Sequence, residues 1–426
     1  MSVVVGVFFA ILFFALIMAS IALHEVGHLI PAKIFGVRVP KYFIGFGKTL
    51  WSRRFGETEY GVKAIPLGGF VQLLGMYPPA RPGTKSWIGR VADDARSSEY
   101  DTITAADDGR LFHQKPVWQR IIVMLGGISM NIFLAFLIFL SINVFHGTYQ
   151  STLEVERVSD CIIPAGGAVR ECEPSDPPTP ALDAGVRVGD LLVSFNGVPL
   201  TSWEQMGDLI RDNRGDQARV VVERNGHRVD LTPTRTVVTS VVDRLDPAKT
   251  VEAGFFGVGP ASELVRGGAG TTIAQMGDMT RMSLIAIAEF PVRIYNVAAD
   301  LATGQPRDIN SPISIIGASR VAGELSVAEQ IPTADRVASW MSLLGSVNLF
   351  VGLLNVVPLV PLDGGHVAGA IYEWIRRGFN KLRGRPDPGA VDTARMFPVV
   401  YLVGGFLLIG GAILIIADII TPISLF

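Results

Sequence analysis

Three side chains near the N terminus have the spacing of a metal-binding and catalytic motif. His24, Glu25 and His28 form the pattern H-E-x-x-H. Residues four apart in a helix lie on the same face, so two imidazoles at these positions can bind one Zn²⁺ ion. Glu25 projects beside His24, where its carboxylate can act as general base on a metal-bound water rather than as a ligand. The motif therefore predicts zinc-dependent hydrolysis.

The element that must carry this motif is an apolar helix. Val3–Leu23 contains no charged side chain, and the first lysine is Lys33. An uncharged helix of this length can cross a hydrocarbon core of roughly 30 Å at about 1.5 Å per residue. H-E-x-x-H also occurs by chance in soluble proteins, but each ionisable group placed in hydrocarbon costs roughly 2.5–3.5 kcal/mol, and three stand together here. This cost favours metal binding over a chance match.

A second candidate site lies at the end of a later apolar segment. Asn355–His366 reads N-V-V-P-L-V-P-L-D-G-G-H, and its two prolines, Pro358 and Pro361, remove helical N–H groups and predict a broken helix. The break would present Asp363 at about the depth of the two histidines. A carboxylate there completes a His₂Asp zinc site with an open fourth position for water. The alternative is that Asp363 caps a helix at the membrane interface.

The composition indicates an integral membrane protein with room for a soluble domain. Of the 426 residues, 49% are hydrophobic and 18% are charged. The net charge of −2 gives no indication of nucleic-acid binding, and we expect no nucleic-acid partner. The first apolar segment is too long for a cleaved signal peptide and lacks its basic start and small-residue cleavage site. Four segments qualify as membrane spans: Val3–Ala32, Ile121–Phe145, Val337–Leu362 and Met396–Ala417.

The distribution of positive charge predicts the orientation in the membrane. Lys33–Arg120, between the first two spans, carries fourteen Lys and Arg residues, and a second basic cluster lies between the last two spans. Loops rich in Lys and Arg tend to stay in the cytoplasm. The N terminus, the long Gly147–Arg336 segment and the C terminus are then extracytoplasmic. The members of the second cluster are Arg376, Arg377, Lys381, Arg383, Arg385 and Arg395.

A glycine-rich segment after the first span has the composition of short, curved strands. Thr58–Gly75 mixes strand-forming residues with five turn-forming Gly and Pro residues, including Gly68 and Gly69. It is apolar enough to enter the membrane, where non-helical backbone must be covered by protein or line a polar cavity. We therefore expect it near the active site, with Gly61–Leu74 offering a strand edge to a substrate. The alternative is a hairpin on the cytoplasmic surface. Pro78–Gln114, which follows, is polar and is expected to be a solvated loop.

The second span contains the polar residue Asn131 four positions after the pair Gly126-Gly127. Glycines let helices approach closely, and an amide in hydrocarbon requires a hydrogen-bonding partner. Asn131 is therefore either a packing residue or a substrate-binding residue beside the zinc site, and the sequence leaves both interpretations open.

The extracytoplasmic segment alternates predicted strands with turns. A strand at Thr152–Val158 is followed by Pro180–Gly197, which ends in an Asn-Gly hairpin turn, and then by a helix at Ser202–Arg211 and strands Ala218–Arg224 and Arg228–Thr232. This pattern resembles a bacterial PDZ domain, in which a peptide adds as an extra strand in a groove. The alternative is a small β-rich domain without a ligand.

Two further features lie on the same side of the membrane. Cys161 and Cys172 are the only cysteines. In an oxidising compartment they could form a disulfide worth about 3 kcal/mol in the chain-entropy model, or they could remain free thiols. Residues 236–336 contain amphipathic stretches such as Met282–Ala299 and Ile313–Ala322, which we expect to lie on the membrane face or against the spans, because Glu289 and Arg293 argue against a span.

These features together resemble the site-2 protease family of zinc intramembrane metalloproteases, and most closely its bacterial RseP-type members. The resemblance covers nearly the whole chain and rests on H-E-x-x-H in the first span, the glycine-rich β segment, the PDZ-like region and N-x-x-P-x-x-P-L-D-G at Asn355–Gly364. One departure is visible, since Gly126-Gly127 stands where the family usually has Gly-Pro before the asparagine. The Arg-rich, Lys-poor composition suggests a high-GC bacterium such as an actinobacterium.

The resemblance implies an enzyme of the bacterial inner membrane, with its active site towards the cytoplasm. Its expected substrates are single-pass membrane regulators such as anti-sigma factors, cut in their transmembrane segments after another protease trims their external part. In this family PDZ domains are thought to exclude untrimmed substrates, so a substrate segment or peptide is expected at the PDZ-like groove. The lipid bilayer is the other partner.

The predicted fold is a polytopic α-helical membrane protein of about four transmembrane helices. It has a membrane-associated β-hairpin region and an extracytoplasmic PDZ-like α/β domain. The predicted segments are the first span at 1–32, a cytoplasmic loop at 33–120 with the β region at 58–75, the second span at 121–145, the PDZ-like domain at 146–235, amphipathic helices at 236–336, the broken third span at 337–375 and the fourth span at 396–417.

The predicted mechanism assigns one role to each motif residue. Zn²⁺ bound by His24, His28 and Asp363 lowers the pKa of a bound water so that hydroxide forms near neutral pH. Glu25 accepts the proton and passes it to the leaving amine. Asn355 is expected to hydrogen-bond the unwound substrate backbone. Two other classes of protein are considered: an external zinc protease with a membrane anchor, which needs the motif outside the bilayer, and a non-catalytic scaffold, which would tolerate Glu25→Gln.

Overall fold

The first helix, α1 (Ser2–Ile34), is one continuous rod of apolar residues that carries the H-E-x-x-H motif near its C-terminal end. The computed structural model describes residues 2–79, 93, 96, 103–163, 172–243 and 250–423. The chain divides into two compact units, Met1–Ile142 with Ala269–Phe426, and Asn143–Gly268. α1 ends where Gly36 adopts a positive φ of 69° and the Val37 N–H bonds the Ala32 carbonyl at 2.8 Å.

The second helix, α2 (Val117–Ser141), begins after Pro116 and continues through a π-helical turn to His146. It crosses α1 where two glycines face each other. A β-carbon on Gly27 would lie 2.4 Å from the carbonyl oxygen of Gly126, and one on Gly126 would lie 2.0 Å from the carbonyl oxygen of Gly27. Only glycine allows the two backbones to approach so closely. One of the two variable positions of H-E-x-x-H is therefore the contact point with α2.

Between these helices lies a hairpin of two long strands, β1 (Lys41–Phe55) and β2 (Thr58–Gln72). The hairpin folds back on itself, because Lys41 lies opposite both Glu59 and Gln72. Positive φ angles at three glycines allow the chain to bend, and these are Gly45, Gly47 and Gly68. The predicted β region is confirmed as strand, and it extends further towards the N terminus than residues 58–75.

The segment after the hairpin differs from the solvated loop that its polarity predicts. Residues 80–92, 94–95 and 97–102 lie outside the described residues. Leu111 and Phe112 are buried, and Asp107 is 1% exposed and paired with Arg38. Burial raises the pKa of the Asp107 carboxyl, but its bonds to Arg38 and to the N–H and hydroxyl of Thr104 bring that pKa down to about 2. At these residues the prediction of a solvated loop is wrong, because an acidic residue that is buried in an ion pair reads as polar sequence.

The remaining helices of this unit follow the second unit in the chain. They are α5 (Ala269–Thr303), α6 (Ile315–Ser326), α7 (Thr333–Val356), α8 (Asp363–Leu382) and α9 (Phe397–Ile420), because two shorter helices of the second unit precede them in the chain. The chain between α7 and α8 is not helical and contains both prolines of the predicted break, with a cis peptide bond before Pro361. The predicted break in the third span is confirmed.

Five of the described helices are long and apolar enough to cross a membrane, by length and composition: Val3–Ile34, Val117–His146, Ala269–Thr303, Thr333–Val356 and Thr393–Ile420. The sequence predicts about four, and the difference is α5. The predicted stretches Met282–Ala299 and Ile313–Ala322 fall on two separate helices, α5 and α6, but α5 is a continuous helix of 35 residues that is long and apolar enough to span, which the sequence analysis did not expect. The two charges that argued against a span form an ion pair one turn apart, with Arg293 Nη2 2.9 Å from Glu289 Oε2.

The second unit is β-rich. Its main sheet has the order β12 (Val258–Val265), β3 (Thr148–Val158), β4 (Leu191–Phe195), β7 (Val220–Arg224) and β8 (His227–Asp230), and β5 (Val198–Pro199) pairs with β4. Two small sheets join β6 (Gln217–Ala218) to β9 (Thr234–Arg235) and β10 (Val237–Val242) to β11 (Thr250–Phe255). The helices are α3 (Pro180–Ala184) and α4 (Trp203–Asp212).

Local signals in this unit were read correctly from the sequence. Asn196 and Gly197 both have positive φ, as do Asn225 and Gly226, which is the conformation of a two-residue hairpin turn. The side chain of Ser202 caps α4 by accepting from the Gln205 N–H at 3.2 Å. Likeness to a PDZ domain remains a prediction. The sulfurs of two cysteines in this unit are bonded to each other, and these are Cys161 and Cys172.

One ion pair fixes the start of β4. Asp190 is 1% exposed and accepts from Arg224 Nε at 2.7 Å and from the Arg187 N–H at 2.8 Å. Burial alone would raise the pKa of the Asp190 carboxyl, but these bonds hold that pKa below its usual range. The carboxylate therefore remains ionised and joins β7 to the turn before β4.

Candidate metal centre

Three ligand atoms from distant parts of the chain form a small triangle. His24 Nε2 lies 3.2 Å from Asp363 Oδ2, His28 Nε2 lies 3.3 Å from the same oxygen, and the two Nε2 atoms are 3.2 Å apart. Among the described residues, these three side chains are the group of His, Cys, Asp and Glu that could hold a metal ion. The structure thus brings together the two histidines and the aspartate that the sequence analysis singled out.

The size of this triangle suits Zn²⁺. Ligand nitrogens and oxygens at about 2.0–2.2 Å from a tetrahedral zinc ion are about 3.3–3.6 Å from one another. The three observed distances of 3.2–3.3 Å lie at the short end of this range. Asp363 Oδ2 is buried without a hydrogen-bond partner among the described residues, which is costly for a carboxylate oxygen unless a cation accepts it. Geometry and donor set both fit a His₂Asp zinc centre with one position left for water.

The backbone of α2 orients one of the imidazoles. His28 Nδ1 lies 2.8 Å from the carbonyl oxygen of Val123, and because a carbonyl only accepts, Nδ1 carries the proton. Nε2 of His28 is then the nitrogen with a free lone pair, which faces the triangle. Contacts of this kind fix the tautomer of metal-binding histidines. Nδ1 of His24 is buried with no hydrogen-bond partner among the described residues.

Asp363 reaches the histidines because it is the first residue of α8. The two residues after it allow the helix to begin there. A β-carbon on Gly364 would lie 2.2 Å from the carbonyl oxygen of Val356, and one on Gly365 would lie 2.5 Å from the Val360 backbone nitrogen. The first turn of α8 therefore packs directly on the broken segment that precedes it. Local sequence explains this well: two prolines stop α7, and two glycines let α8 start immediately.

A residue missed by the sequence analysis lies against both imidazoles. A β-carbon on Gly127 would lie 2.3 Å from His28 Nε2 and 2.7 Å from His24 Nε2. The backbone of α2 thus forms one wall of the metal centre. The signal was present as the consecutive glycines Gly126-Gly127, which the sequence analysis treated as a helix-packing feature and as a departure from the family pattern.

Glu25 lies against the β hairpin as well as next to His24 in α1. A β-carbon on Gly69 would lie 3.1 Å from Glu25 Cγ. Tyr42, on the neighbouring strand, donates to the Ala22 carbonyl of α1 at 2.7 Å. The end of β2 is therefore fixed beside the glutamate. Of the two predicted glycines, Gly69 contacts the site, whereas Gly68 packs its α-carbon on Phe46, with a β-carbon there only 2.8 Å from the ring.

The two predicted asparagines have helix-packing contacts. Asn131 is 2% exposed, and its amide oxygen has no hydrogen-bond partner among the described residues. It packs against α7, because a β-carbon added to Gly352 would lie 3.3 Å from the β-carbon of Asn131. Asn355 is half-buried and donates from Nδ2 to the Val351 carbonyl of its own helix at 3.1 Å. A third amide, Asn348, joins α7 to α1 by donating to Ser20 Oγ at 3.1 Å, one turn before His24.

Comparison with known proteins places this chain in a family. Residues 12–386 match the model of the family described as Peptidase family M50. The chain is 33% identical over 433 residues to Zinc metalloprotease Rip1 of Mycobacterium tuberculosis, with 98% of each chain covered. It belongs to peptidase family M50, the site-2 protease family. The resemblance inferred from the sequence motifs is confirmed.

Other relatives of this M50 protein are also metalloproteases by name. Zinc metalloprotease Rip1 of Mycolicibacterium smegmatis is 31% identical over 437 residues, with 98% of each chain covered. Metalloprotease MmpA of Caulobacter vibrioides is 28% identical over 406 residues, which is 91% of this chain and 90% of the relative. This M50 protein is therefore a zinc metalloprotease and a multi-pass membrane protein.

Proposed function

We propose that His24, His28 and Asp363 hold the zinc ion and that Glu25 is the general base of an intramembrane endopeptidase. The observation that carries the proposal is the triangle of three ligand atoms at 3.2–3.3 Å, formed by residues more than three hundred positions apart. A bound zinc ion supplies a nucleophilic water near neutral pH and polarises the scissile carbonyl.

Glu25 moves the proton in this reaction. Its carboxylate takes the proton of the attacking water and later donates it to the nitrogen of the leaving amine, so the peptide bond is broken with no net change in protonation. Packing against Gly69 limits the rotation of the Glu25 side chain. On the other side of the two imidazoles lies the backbone of Gly127, where no side chain larger than hydrogen fits.

The substrate binds as an unwound segment along β2. A helical substrate uses its carbonyls in its own hydrogen bonds, so it must unwind before one can be attacked. The Gly61–Leu74 region offers a strand edge by which such a segment can add to the hairpin. The position of Gly69 next to Glu25 supports this, because a strand added there would bring its backbone to the base. Asn355, Gly68 and Asn131 complete the proposed substrate-binding set.

The substrate class is a transmembrane segment of a single-pass membrane regulator such as an anti-sigma factor, cut after prior trimming of its external part. The motif lies inside an apolar helix, five residues before Lys33 at its nearest point, which supports a site within the bilayer near the cytoplasmic side. The protein would act in the bacterial inner membrane, with the β-rich unit outside and its PDZ-like groove taking a peptide or substrate segment.

Reconstitution with a model transmembrane substrate tests this proposal. Wild type should cleave the substrate within its apolar segment, and chelator should abolish cleavage. Glu25→Gln should keep about one zinc ion per chain and lose about 100- to 10,000-fold in turnover. Glu57→Gln, the same substitution at an exposed ion pair with Arg110, should cleave normally. Undiminished turnover by Glu25→Gln would assign the general base to another residue, absence of cleavage by wild type would favour a scaffold, and cleavage confined to the external part of the substrate would favour an external protease.

A further inference from the structure

The outer strand of the hairpin exposes a continuous surface of aromatic, apolar and basic side chains. All residues from Phe46 to Phe55 are exposed. Leu50 is 68% exposed, Trp51 is 59% exposed and Phe55 is 78% exposed. Exposed aromatic and aliphatic side chains in such a run are unfavourable in water and mark a surface that contacts something else. We call the run Lys48–Phe55 the outer strand segment.

This segment is the edge of the hairpin away from Glu25. Thr49–Phe55 lies opposite Thr58–Lys63, whereas the opposite edge, which contains Gly69, pairs with Ile44. The hairpin thus has two dissimilar edges. One edge carries glycines and faces the candidate active site, and the other carries Trp51 together with Lys48, Arg53 and Arg54.

The basic side chains of the outer strand segment form no ion pairs within the described part of the chain. Lys48, Arg53 and Arg54 have no ion pair and no side-chain hydrogen bond with the residues that the structure describes. The segment itself contains no acidic residue; of those nearby, Glu57 pairs with Arg110 at 2.7 Å, and Glu59, opposite Arg54, accepts from Ser52 at 2.7 Å. The segment therefore presents net positive charge together with its apolar side chains.

The hairpin is fixed at the level where α1 ends. Lys33, the first charge after the apolar run, donates to the Tyr60 hydroxyl at 2.8 Å, and Tyr60 lies opposite Arg53 in the hairpin. Phe35 packs edge-on against Trp118 at the start of α2, with ring centroids 5.3 Å apart. Lysine and tryptophan at helix ends mark the boundary between hydrocarbon and headgroups. Arg53 therefore lies at about the depth of the headgroups.

We propose that the outer strand segment docks on anionic phospholipid headgroups. Trp51 and its apolar neighbours enter the interface, and the three basic side chains bind lipid phosphates. Aromatic rings with basic residues suit this environment, because rings partition into the interface and each Lys or Arg gains from the negative surface potential. A second copy of this chain is the competing occupant of a strand edge, but pairing two such edges would place Arg53 and Arg54 against like charges.

Docking of the outer strand segment would link the charge of the lipid to the geometry of the candidate active site. The outer strand segment and the strand beside Glu25 belong to one hairpin, so docking of one edge restrains the other. Binding itself does not depend on the proposed catalytic roles, and it is measured without any substrate.

The test uses the full chain in lipid nanodiscs, with Trp51 as reporter. The Trp51 signal is the difference in tryptophan fluorescence between wild type and Trp51→Phe. Nanodiscs contain lipids brominated on their acyl chains, either brominated phosphatidylglycerol or brominated phosphatidylcholine, each diluted in unlabelled lipid of both kinds. The test variant carries both Arg53→Gln and Arg54→Gln. The matched control carries both Lys381→Gln and Arg385→Gln, two exposed basic residues at and just beyond the end of α8.

We expect brominated phosphatidylglycerol to quench Trp51 about twofold more than brominated phosphatidylcholine in wild type and in the α8 control. The Arg53 and Arg54 variant should lose this preference and retain its zinc. Equal quenching by both lipids in wild type would overturn recognition of anionic headgroups. No quenching of Trp51 by either lipid would overturn docking altogether, and cross-linking of Trp51 positions between two chains would assign the edge to a second copy instead.

Discussion

Gly127 and His28 are in backbone-to-ring contact: a β-carbon at position 127 would lie 2.3 Å from the imidazole Nε2. One turn earlier on the same helix, the Val123 carbonyl accepts from Nδ1 of the same ring. α2 therefore contacts His28 at two places: a hydrogen bond fixes Nδ1, and the Gly127 backbone lies against the ring beside Nε2. The proposed ligand is oriented by backbone rather than by a partner side chain, and the first prediction follows from this.

Gly127→Ala should weaken zinc binding. The added methyl group overlaps His28 Nε2 and comes within 2.7 Å of His24 Nε2, so either the rings or α2 must move. Loss of a supporting contact to a metal ligand costs about 10- to 100-fold in metal affinity. Zinc content and affinity measured on purified protein check this. Gly411→Ala in α9, where an added β-carbon meets nothing within 4 Å, is the control and should bind zinc normally. Full zinc occupancy and wild-type turnover in Gly127→Ala would remove the positioning role.

Gly69→Ala should slow catalysis while sparing the metal. Its β-carbon would lie 3.1 Å from Glu25 Cγ and 3.2 Å from the Phe43 carbonyl oxygen, so the proposed base has to shift. A displacement of about 1 Å in a catalytic group can lower the rate about 100-fold. Turnover and zinc content are measured together, with Gly270→Ala, which has open space at its β-carbon, as the control. Loss of zinc in Gly69→Ala would indicate a different role for this contact.

Asn355→Leu should weaken cleavage without changing zinc content. The side chain is half-buried close to the break before Asp363, and the proposal assigns it a hydrogen bond to the unwound substrate backbone. Loss of one such bond, at about 1.4 kcal/mol, corresponds to about tenfold in the specificity constant. Asn380→Leu is the matched control, because Asn380 is also half-buried and donates locally, to the Pro386 carbonyl at 3.4 Å. Unchanged turnover would take Asn355 out of the substrate site.

The pair between Asp107 and Arg38 should make stability depend on pH at the acidic end. The Asp107 pKa is lowered from 3.8 to about 2 in the folded protein. A carboxyl whose folded pKa lies below its unfolded pKa stabilises the fold above the unfolded value, and this contribution is lost as pH falls from 3.8 towards 2. Asp107→Asn should therefore lower the unfolding temperature at pH 7 by about 2–4 °C for each kcal/mol lost, and the difference from wild type should shrink towards pH 2.

Asp108→Asn, at the exposed neighbouring position, is the control for that measurement and should match wild type throughout. A difference between Asp107→Asn and wild type that stays constant from pH 7 to pH 2 would show that the carboxylate charge is not what stabilises this segment.

Much of the site was contained in local sequence. H-E-x-x-H within an uncharged helix predicts two histidines on one face, and helical rotation alone puts them there. Two prolines followed by Asp363 and two glycines predict a broken helix with an acidic residue at the restart, and steric rules alone produce that break. The Asn-Gly turns of the β-rich unit were equally local, because both residues need positive φ.

What only the tertiary structure decided was which residues meet across the chain. No local rule relates position 24 to position 363, or places Gly127 against two imidazoles and Gly69 against Glu25. The same holds for α5, where two charges that argued against a membrane span neutralise each other in an ion pair, and for Asp107, a polar residue that is buried and paired with Arg38. A sequence shows which side chain a residue has, but burial and pairing depend on neighbours that only folding brings close.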